Sequence, residues 1–474
     1  MEETEIAIQE NILEENVSQY FASTCNACKV CSPLGASVAF KGIKACVPLI
    51  HGSQGCSTYI RRYLISHFKE PVDIASSNFS QDSTIFGGQR NFNKGLDNII
   101  QQYNPEVIAI ASTCLSETIG EDIAGLIHSY KSQHSGENLP EFVAASTPSY
   151  QGTHMDGFHE AVSAIVSAFA VKGIQSEHIN ILPGFVSTED LRHIKEILAD
   201  FRLDFIMVPD YSETLDNPNW KEYQIIPQGG TSFSDLKKLG TARASIELGH
   251  ILNQGSGTGR IKNVNLNPTG AQYLENKFGV ERFNLGVPIG INATDKLFEL
   301  LATLSNMEMP EKYKMERGRL IDSYIDGHKY VFGKKAIVYG EEDFVIAMVN
   351  FLEEIGIKTV LCATGGESGH AQDSLRQITG NKTLNVHQGL DFESIRHLSK
   401  TLKPDILIGN SKGYYIAREL GIPLVRVGFP IHDRMGGQRI LHLAYRGAQQ
   451  LFDNIANALI EYKQNTSPVG YKYM

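Results

Sequence analysis

The sequence predicts an α/β protein built from doubly wound parallel sheets, in about three domains. Three observations predict it. Short continuous apolar runs recur along the chain, each ending in a turn rich in Gly, Ser, Thr or Asp and followed by a stretch with helical spacing. That is the pattern of strands covered by helices on both faces. The 474 residues also exceed what one hydrophobic core supports. Helix-start signals such as Ser187-Thr188-Glu189-Asp190 follow the strand ends directly. Boundaries are expected at residues 1–172, 173–330 and 331–474.

Composition narrows the class. With 42% hydrophobic and 20% charged residues the chain is ordinary for a globular protein. Its 43 basic and 53 acidic residues leave a formal charge of -10, and no Lys/Arg block would track a phosphate backbone. Nucleic acid is therefore not an expected partner. The N-terminal MEETEIAIQENILEEN lacks the basic start and apolar centre of a secretory signal, and nowhere do about 18 apolar residues run together. No membrane association is expected, and the expected compartment is the cytoplasm.

The cysteines fall at positions 25, 28, 31, 46, 56, 114 and 362, so six of the seven lie in the first quarter of the chain. In a reducing compartment these are not a disulfide framework, and core thiols would be spread more evenly. The clustering points to metal chemistry in the first domain.

Taken in order, residues 1–20 read as a polar, partly helical arm. The run Cys25-Asn-Ala-Cys28-Lys-Val-Cys31 has the spacing of a bacterial ferredoxin, but that pattern needs a fourth cysteine and then a proline, and Gly35 stands where the fourth would be. A helix-like stretch follows from Ser37 to Gly42, and Ile43 to Ile50 reads as a buried strand. His51 to Arg62, HGSQGCSTYIRR, is a strand, a Gly-rich turn and a helix start. It sets Cys56 on an exposed corner where Gly52 and Gly55 allow close approach of the backbone, and where free helical amides, with Arg61 and Arg62 beyond, favour a negative ligand. Tyr59, Ile65 and Phe68 on the following helix read as core, and His51 and His67 as hydrogen-bonded structural histidines.

Glu106 to Ser112 reads as a central parallel strand ending at Thr113-Cys114, with a helix expected from Glu117 to His128. A further strand, Phe142 to Ala145, ends in Ser146-Thr147-Pro148-Ser149. Cys56, Cys114 and Ser149 thus leave one sheet at its carboxyl edge, where open α/β sheets hold their ligands. Cys46 and Cys362, inside apolar runs, read as core thiols; Cys31, Cys56 and Cys114 are the candidate ligands, and Cys25 and Cys28 receive no role.

The second series has strands at Ile179 to Pro183, Phe205 to Val208 and Ala244 to Gly249, with Val287 to Ile291 before a helix from Ala293 to Asn306. Nothing in it has catalytic spacing, and Trp220 reads as packing. A charged helix, Glu311 to Lys329, bridges to the third series. Its strands are Lys335 to Tyr339, Thr359 to Ala363, Asp405 to Gly409 and Leu424 to Val427, and a helix from Gln449 to Tyr462 closes the chain. No G-x-G-x-x-G follows Lys335, so a nucleotide site has weak support. The polar loop 428–439 reads equally as a solvated rim or a subunit contact.

With these motifs in place, the chain resembles β-type subunits of the nitrogenase component 1 family. The likeness runs through C-x-P-x-G-A at Cys31, HGSQGC, STCLSETIGEDI at 112–123, TPSYQGTH at 147–154, GVPIGINATD at 286–295 and RVGFPIHDR at 426–434. The resemblance implies three Rossmann-like domains and an α2β2 complex served by an ATP-dependent iron protein. It also implies that Cys31, Cys56, Cys114 and Ser149 bind an Fe–S cluster shared with the α-type partner, either [4Fe–4S] or the fused P-type [8Fe-7S]. An iron–molybdenum-type cofactor or its precursor would be held mainly by that partner, and no catalytic residue is assigned here. Two paralogues remain in view. The run 428–464 is similar to the β-type subunit of the cofactor-assembly scaffold, which works with cofactor-maturation proteins, and inclines the choice that way. The four candidate ligands suit the catalytic β subunit of nitrogenase or of a nitrogenase-like reductase, which would relay electrons from the iron protein through the P-type cluster.

Overall fold

The computed structural model describes residues 28–218, 222, 224–251, 268–380 and 384–469. The expected N-terminal arm, Cys25 and Trp220 lie outside the described residues. Three all-parallel sheets follow one another along the chain. The first series is α1 (Ser32–Lys41), β1 (Cys46–His51), α2 (Gln54–Phe68), β2 (Ala75–Ser76), α3 (Gln81–Phe86), α4 (Gln89–Tyr103), β3 (Val107–Ser112), α5 (Cys114–Thr118), α6 (Ile123–Gln133), β4 (Glu141–Ala145) and α7 (His154–Phe169). Its strands run in the order β2-β1-β3-β4. Every residue of β1 and β3 is buried, which is why both read as unbroken apolar runs.

The second series holds β5 (Ile179–Leu182), α8 (Thr188–Asp200), β6 (Phe205–Met207), α9 (Phe233–Lys238), β7 (Ala244–Leu248), α10 (Gly270–Phe278), β8 (Glu281–Leu285) and α11 (Ile291–Ser305), with strand order β6-β5-β7-β8. The bridging helix α12 (Glu311–Val331) leads to β9 (Lys335–Gly340), α13 (Glu342–Glu354), β10 (Lys358–Thr364), α14 (Ala371–Thr379), β11 (Val386–His387), α15 (Phe392–Leu402), β12 (Ile406–Gly409), α16 (Tyr414–Leu420), β13 (Leu424–Arg426) and α17 (Ala444–Thr466). That sheet is ordered β11-β10-β9-β12-β13. One continuous apolar core draws on all three series. Helix α17 returns along α12, where Gly327 leaves room for the Phe452 ring and Tyr324 packs against it.

Two expectations are corrected, and one strand was not foreseen. The unforeseen strand is the half-buried Glu281–Leu285; the apolar run Val287 to Ile291 after it is a loop, since Pro288 lacks a ladder donor and Gly290 has φ +88°. The helix expected from Glu117 to His128 is two, α5 and α6, broken at Gly120 with φ +77°. Tyr59 and Ile65 are exposed on α2, and Phe68 alone of the three is core. Among the described residues no helix is long and apolar enough to cross a membrane.

The first sheet is locked by a backbone-to-backbone crossing of α1 and α7. A Cβ on Gly35 would lie 1.6 Å from the His154 carbonyl oxygen, and one on Gly157 would lie 2.0 Å from the Ser32 carbonyl oxygen. No rotamer change relieves a clash with main chain, so G157A is expected to destabilise the protein by about 3 kcal/mol or more. In contrast, Gly318, exposed within α12 with open space around it, is expected to gain up to about 1 kcal/mol on G318A. Denaturant unfolding of both variants checks the pair; equal effects would refute the crossing as the constraint.

Candidate metal centre

Each of the three candidate cysteines stands at the start of a helix. Cys31 is the N-cap of α1, with Pro33 opening the helix behind it. Cys56 lies in the first turn of α2 after the N-cap Ser53, whose Oγ is 3.9 Å from the Cys56 sulfur. Cys114 opens the single turn α5 after Thr113, which forms a capping box with Ser116. Helix starts present unpaired amides and favour negative charge, which suits thiolates.

Parallel topology brings them together. Neighbouring strands β1, β3 and β4 all release their loops at the same edge. Thr113 Oγ1 donates to the His51 carbonyl at 3.1 Å, and Thr147 donates through its amide to Ser112 Oγ and through its hydroxyl to the Ser112 carbonyl, both at 2.7 Å. Gly52 is required in this arrangement, since a Cβ there would meet Thr113 Oγ1 at 2.3 Å. The Ser149 amide donates to the Cys114 sulfur at 3.2 Å, while Ser149 Oγ accepts from the Ser32 amide, next to Cys31, at 3.1 Å. Burial pushes the Cys31 thiol up to about 11, backbone donors oppose it, and the neighbouring Cys56 and Cys114 sulfurs raise it further. Cys31, Cys56, Cys114 and Ser149 therefore form one group.

The group has the chemistry of an iron–sulfur ligand set: soft sulfur donors, mutually repulsive if ionised alone, with an oxygen beside them. Among the described residues no three His, Cys, Asp or Glu converge to chelate a single ion. A multi-iron group completed from outside the chain fits that wider spacing. Exposed apolar side chains occur on the neighbouring elements, Tyr59 and Ile65 on α2, Ile85 and Phe86 on α3, and Tyr150 after Ser149, with Phe86 exposed by 84%; Arg61 and Arg62 on α2 and Asp82 on α3 are exposed as well.

The remaining cysteines are elsewhere. Cys28 is buried in the third sheet's core beside Tyr339 and Leu390, and its amide donates to the Leu390 carbonyl. Burial pushes the thiols of Cys28 and Cys46 up to about 12, and that of Cys362 upward too. These are core thiols.

Two residues that sequence reasoning passed over, Ser77 and Glu121, hold the loops in place through His51. His51 is buried between Ser77 Oγ, 3.1 Å from Nδ1, and Glu121 Oε2, 3.1 Å from Nε2. The other Glu121 oxygen accepts from the Gly88 amide at 2.7 Å, and Ser77 Oγ accepts from the Gly52 amide. No local pattern links positions 51, 77, 88 and 121; only the fold does. His154 links the first series to the third, accepting from the Val30 amide and standing 2.8 Å from Glu341. His67, at the end of α2, accepts from the Ile431 amide at 2.9 Å.

Residues 31–460 match the family described as "Nitrogenase component 1 type Oxidoreductase". The chain is 37% identical over 440 residues to the nitrogenase molybdenum-iron protein beta chain of Clostridium pasteurianum, covering 92% of this chain and 93% of that one. It is 33% identical over 460 residues to the chain of the same name from Azotobacter vinelandii, covering 93% and 85%. A solved structure titled "Nitrogenase Cp1 at pH 6.5" superposes with a TM-score of 0.90 at 35% identity, over 96% of this chain and 98% of that one.

The buried histidines give the site's frame a pH dependence. Burial lowers the pKa of His51, against the pull of Glu121, and lowers that of His67 to about 3. Both rings are neutral in the fold. The unfolded chain takes up protons below about pH 6.5, so this contribution is complete above that pH and is lost as pH falls toward the folded values. The unfolding free energy is expected to drop as pH goes from 7 to 5. H67Q, which keeps an acceptor for Ile431, should flatten the slope by up to about 1.4 kcal/mol per pH unit. An unchanged slope in a pH series of thermal or denaturant melts would rule this out.

Proposed function

The chain belongs to the nitrogenase component 1 type oxidoreductase family, and from that premise we propose that it is the catalytic β subunit of a nitrogenase-type complex. The observation that carries the proposal is the gathering of four donors, Cys31, Cys56, Cys114 and Ser149, at one sheet edge. The printed names of its relatives, molybdenum-iron protein beta chains, support the same choice. In this reading the three thiolates and the Ser149 oxygen hold half of a fused P-type cluster at the boundary with an α-type partner in an α2β2 assembly. The partner carries the iron–molybdenum-type cofactor, and an ATP-dependent iron protein delivers the electrons. When bound, such a cluster supplies low-potential electron transfer.

The chain's own residues then bind and orient. The first-turn amides of α1 and α2 offset thiolate charge at Cys31 and Cys56. The Ser32 amide, donating to Ser149 Oγ, favours the anionic form of that oxygen over the neutral one. The Ser149 amide fixes the Cys114 sulfur. His51, Glu121 and Ser77 prevent the two loops from drifting apart. No side chain here is assigned proton transfer to a substrate.

We assign to the α-type partner the surface that carries the exposed side chains of Tyr59 and Ile65 on α2, Ile85 and Phe86 on α3, and Tyr150 after Ser149; large exposed apolar groups on elements next to the donor residues are what an interface leaves when one side is removed. F86D is expected to reduce recovery of the heteromer in co-purification while the isolated chain keeps its circular dichroism. Undiminished heteromer would move the interface elsewhere.

The second reading, the assembly scaffold, rests on the C-terminal likeness of residues 428–464. Mössbauer and EPR spectroscopy of the complex with its α-type partner, isolated without oxygen in dithionite, separates the two. The catalytic reading expects a diamagnetic, all-ferrous fused cluster that becomes paramagnetic on oxidation, loss of interface iron in C56A and C114A, and an altered oxidised spectrum with unchanged iron in S149A. A paramagnetic [4Fe–4S] signal in dithionite, unaffected by S149A, would instead assign the chain as the scaffold.

A further inference from the structure

At the head of α2 one N-cap behaves unlike the rest. Ser53 has the extended geometry of a cap, φ -73° and ψ 151°, yet its hydroxyl accepts no helix amide. The other Ser and Thr N-caps among the described residues, from Ser80 to Thr269, each accept one. Ser is favoured at an N-cap because of that bond, so its absence points to another partner for the hydroxyl. The Cys56 amide, which the hydroxyl would cap, bonds the Ser53 carbonyl at 3.2 Å. The hydroxyl itself donates to the sulfur of the same residue, Cys56 Sγ, across 3.9 Å. Both residues are half-buried, so the pair lies at the rim of the donor group and not in the core.

Each sulfur of the donor group has a hydrogen-bond donor of its own. Cys31 has the Leu34 amide, Cys114 has the Ser149 amide at 3.2 Å, and Cys56 has the Ser53 hydroxyl. Two of these donors are main chain, fixed by the helix start and by the loop. Ser53 is the one side chain among the three, so substitution can remove its bond without redirecting the backbone.

A neutral thiol is a weak acceptor, and a hydroxyl at this distance stabilises it little. A thiolate that ligates iron carries negative charge, and the same hydroxyl then becomes a charge-assisted donor. Hydrogen bonds to ligand sulfurs help to set the potential of an iron–sulfur cluster, because they favour the more negative, reduced form.

We propose that Ser53 is a positioning residue for electron transfer: its hydroxyl donates to the Cys56 thiolate and raises the reduction potential of the cluster held there. The proposal rests on the reading that Cys56 ligates an interface cluster, and it applies to either cluster type. In the step concerned, one electron from the iron protein, or from dithionite in the test, enters the cluster. No bond to Cys56 breaks, and the hydroxyl proton stays on Ser53 Oγ. The hydroxyl dipole offsets the part of the added charge that reaches the sulfur.

An EPR-monitored redox titration of the complex with its α-type partner tests this in wild type, S53A and S53T, with interface iron measured in each. S53A is expected to keep its iron and to move the midpoint to a more negative value. At a fixed potential its reduced-to-oxidised ratio should fall on the order of tenfold, the weight of one hydrogen bond to a charged group, which is about 59 mV for a one-electron couple. S53T, which keeps the hydroxyl, should titrate close to wild type. A midpoint that is unchanged in S53A, or that moves equally in S53A and S53T, would overturn the proposal and leave the cluster assignment standing. Loss of interface iron in S53A would make Ser53 a residue of cluster retention and overturn the tuning role as well. A wild-type complex without interface iron would instead overturn the reading on which the proposal rests, and the proposal with it.

Discussion

The structure depends on one contact between main chains, the crossing of α1 and α7 at Gly35 and Gly157. The carbonyl oxygens of His154 and Ser32 occupy the space where side chains would begin. Close approach of this kind forces the two helix starts together, and those starts carry Cys31 and, through the preceding loop, Ser149. The Ser32 amide reaches Ser149 Oγ only because the crossing is this tight. From the same helix start His154 reaches Glu341 beside β9, so the crossing that builds the donor group also ties the first series to the third. A wider helix pair would lose both.

Cysteine chemistry in this chain is decided by backbone direction more than by spacing. Cys28 and Cys31 are three residues apart, yet one enters the core of the third sheet and the other caps α1 at the edge of the first. The chain leaves the third sheet's core between them and enters α1 directly after Cys31, which explains why a ferredoxin-like run of cysteines does not act as one. Deep burial keeps Cys28, Cys46 and Cys362 as thiols, outweighing the backbone donors at Gly340 and Ala109 that favour the thiolates of Cys28 and Cys46. At the sheet edge, helix amides and the Ser149 amide surround sulfurs that remain partly accessible.

How far the sequence could be read follows from how local each signal is. The strands β3, β9, β10 and β12 were legible because both faces are covered and the apolar run is unbroken. The edge strand β8 was not, since ERFNL is half-buried and interrupted by charge, while the apolar VPIGI beside it is a loop. Helical periodicity put Tyr59 and Ile65 in the core because it cannot distinguish a face buried within the chain from one left for a partner. The candidate ligands were legible, as Gly-flanked or strand-end positions on one predicted edge. Glu121 and Ser77 were not, because their partner, His51, is far away in sequence and their own surroundings carry no motif.

The acid–base groups around the donor group share one property: each is already engaged. His51 is held between Ser77 and Glu121, and Glu121 also takes the Gly88 amide. His67 is occupied by Ile431, and His154 by Val30 and Glu341. A group that must shuttle protons needs a free position and a pKa near the working pH. Burial drives His51 and His67 away from that range. Their bonds instead join segments that are distant in sequence, at a cost in desolvation that is offset only if the geometry stays fixed. Fixed geometry is what electron transfer asks of a protein, since a donor shell that rearranged with each electron would add its own reorganisation to the barrier. The pairing of these residues thus fits a chain that holds and orients a redox group, and leaves the bond-making chemistry to another site.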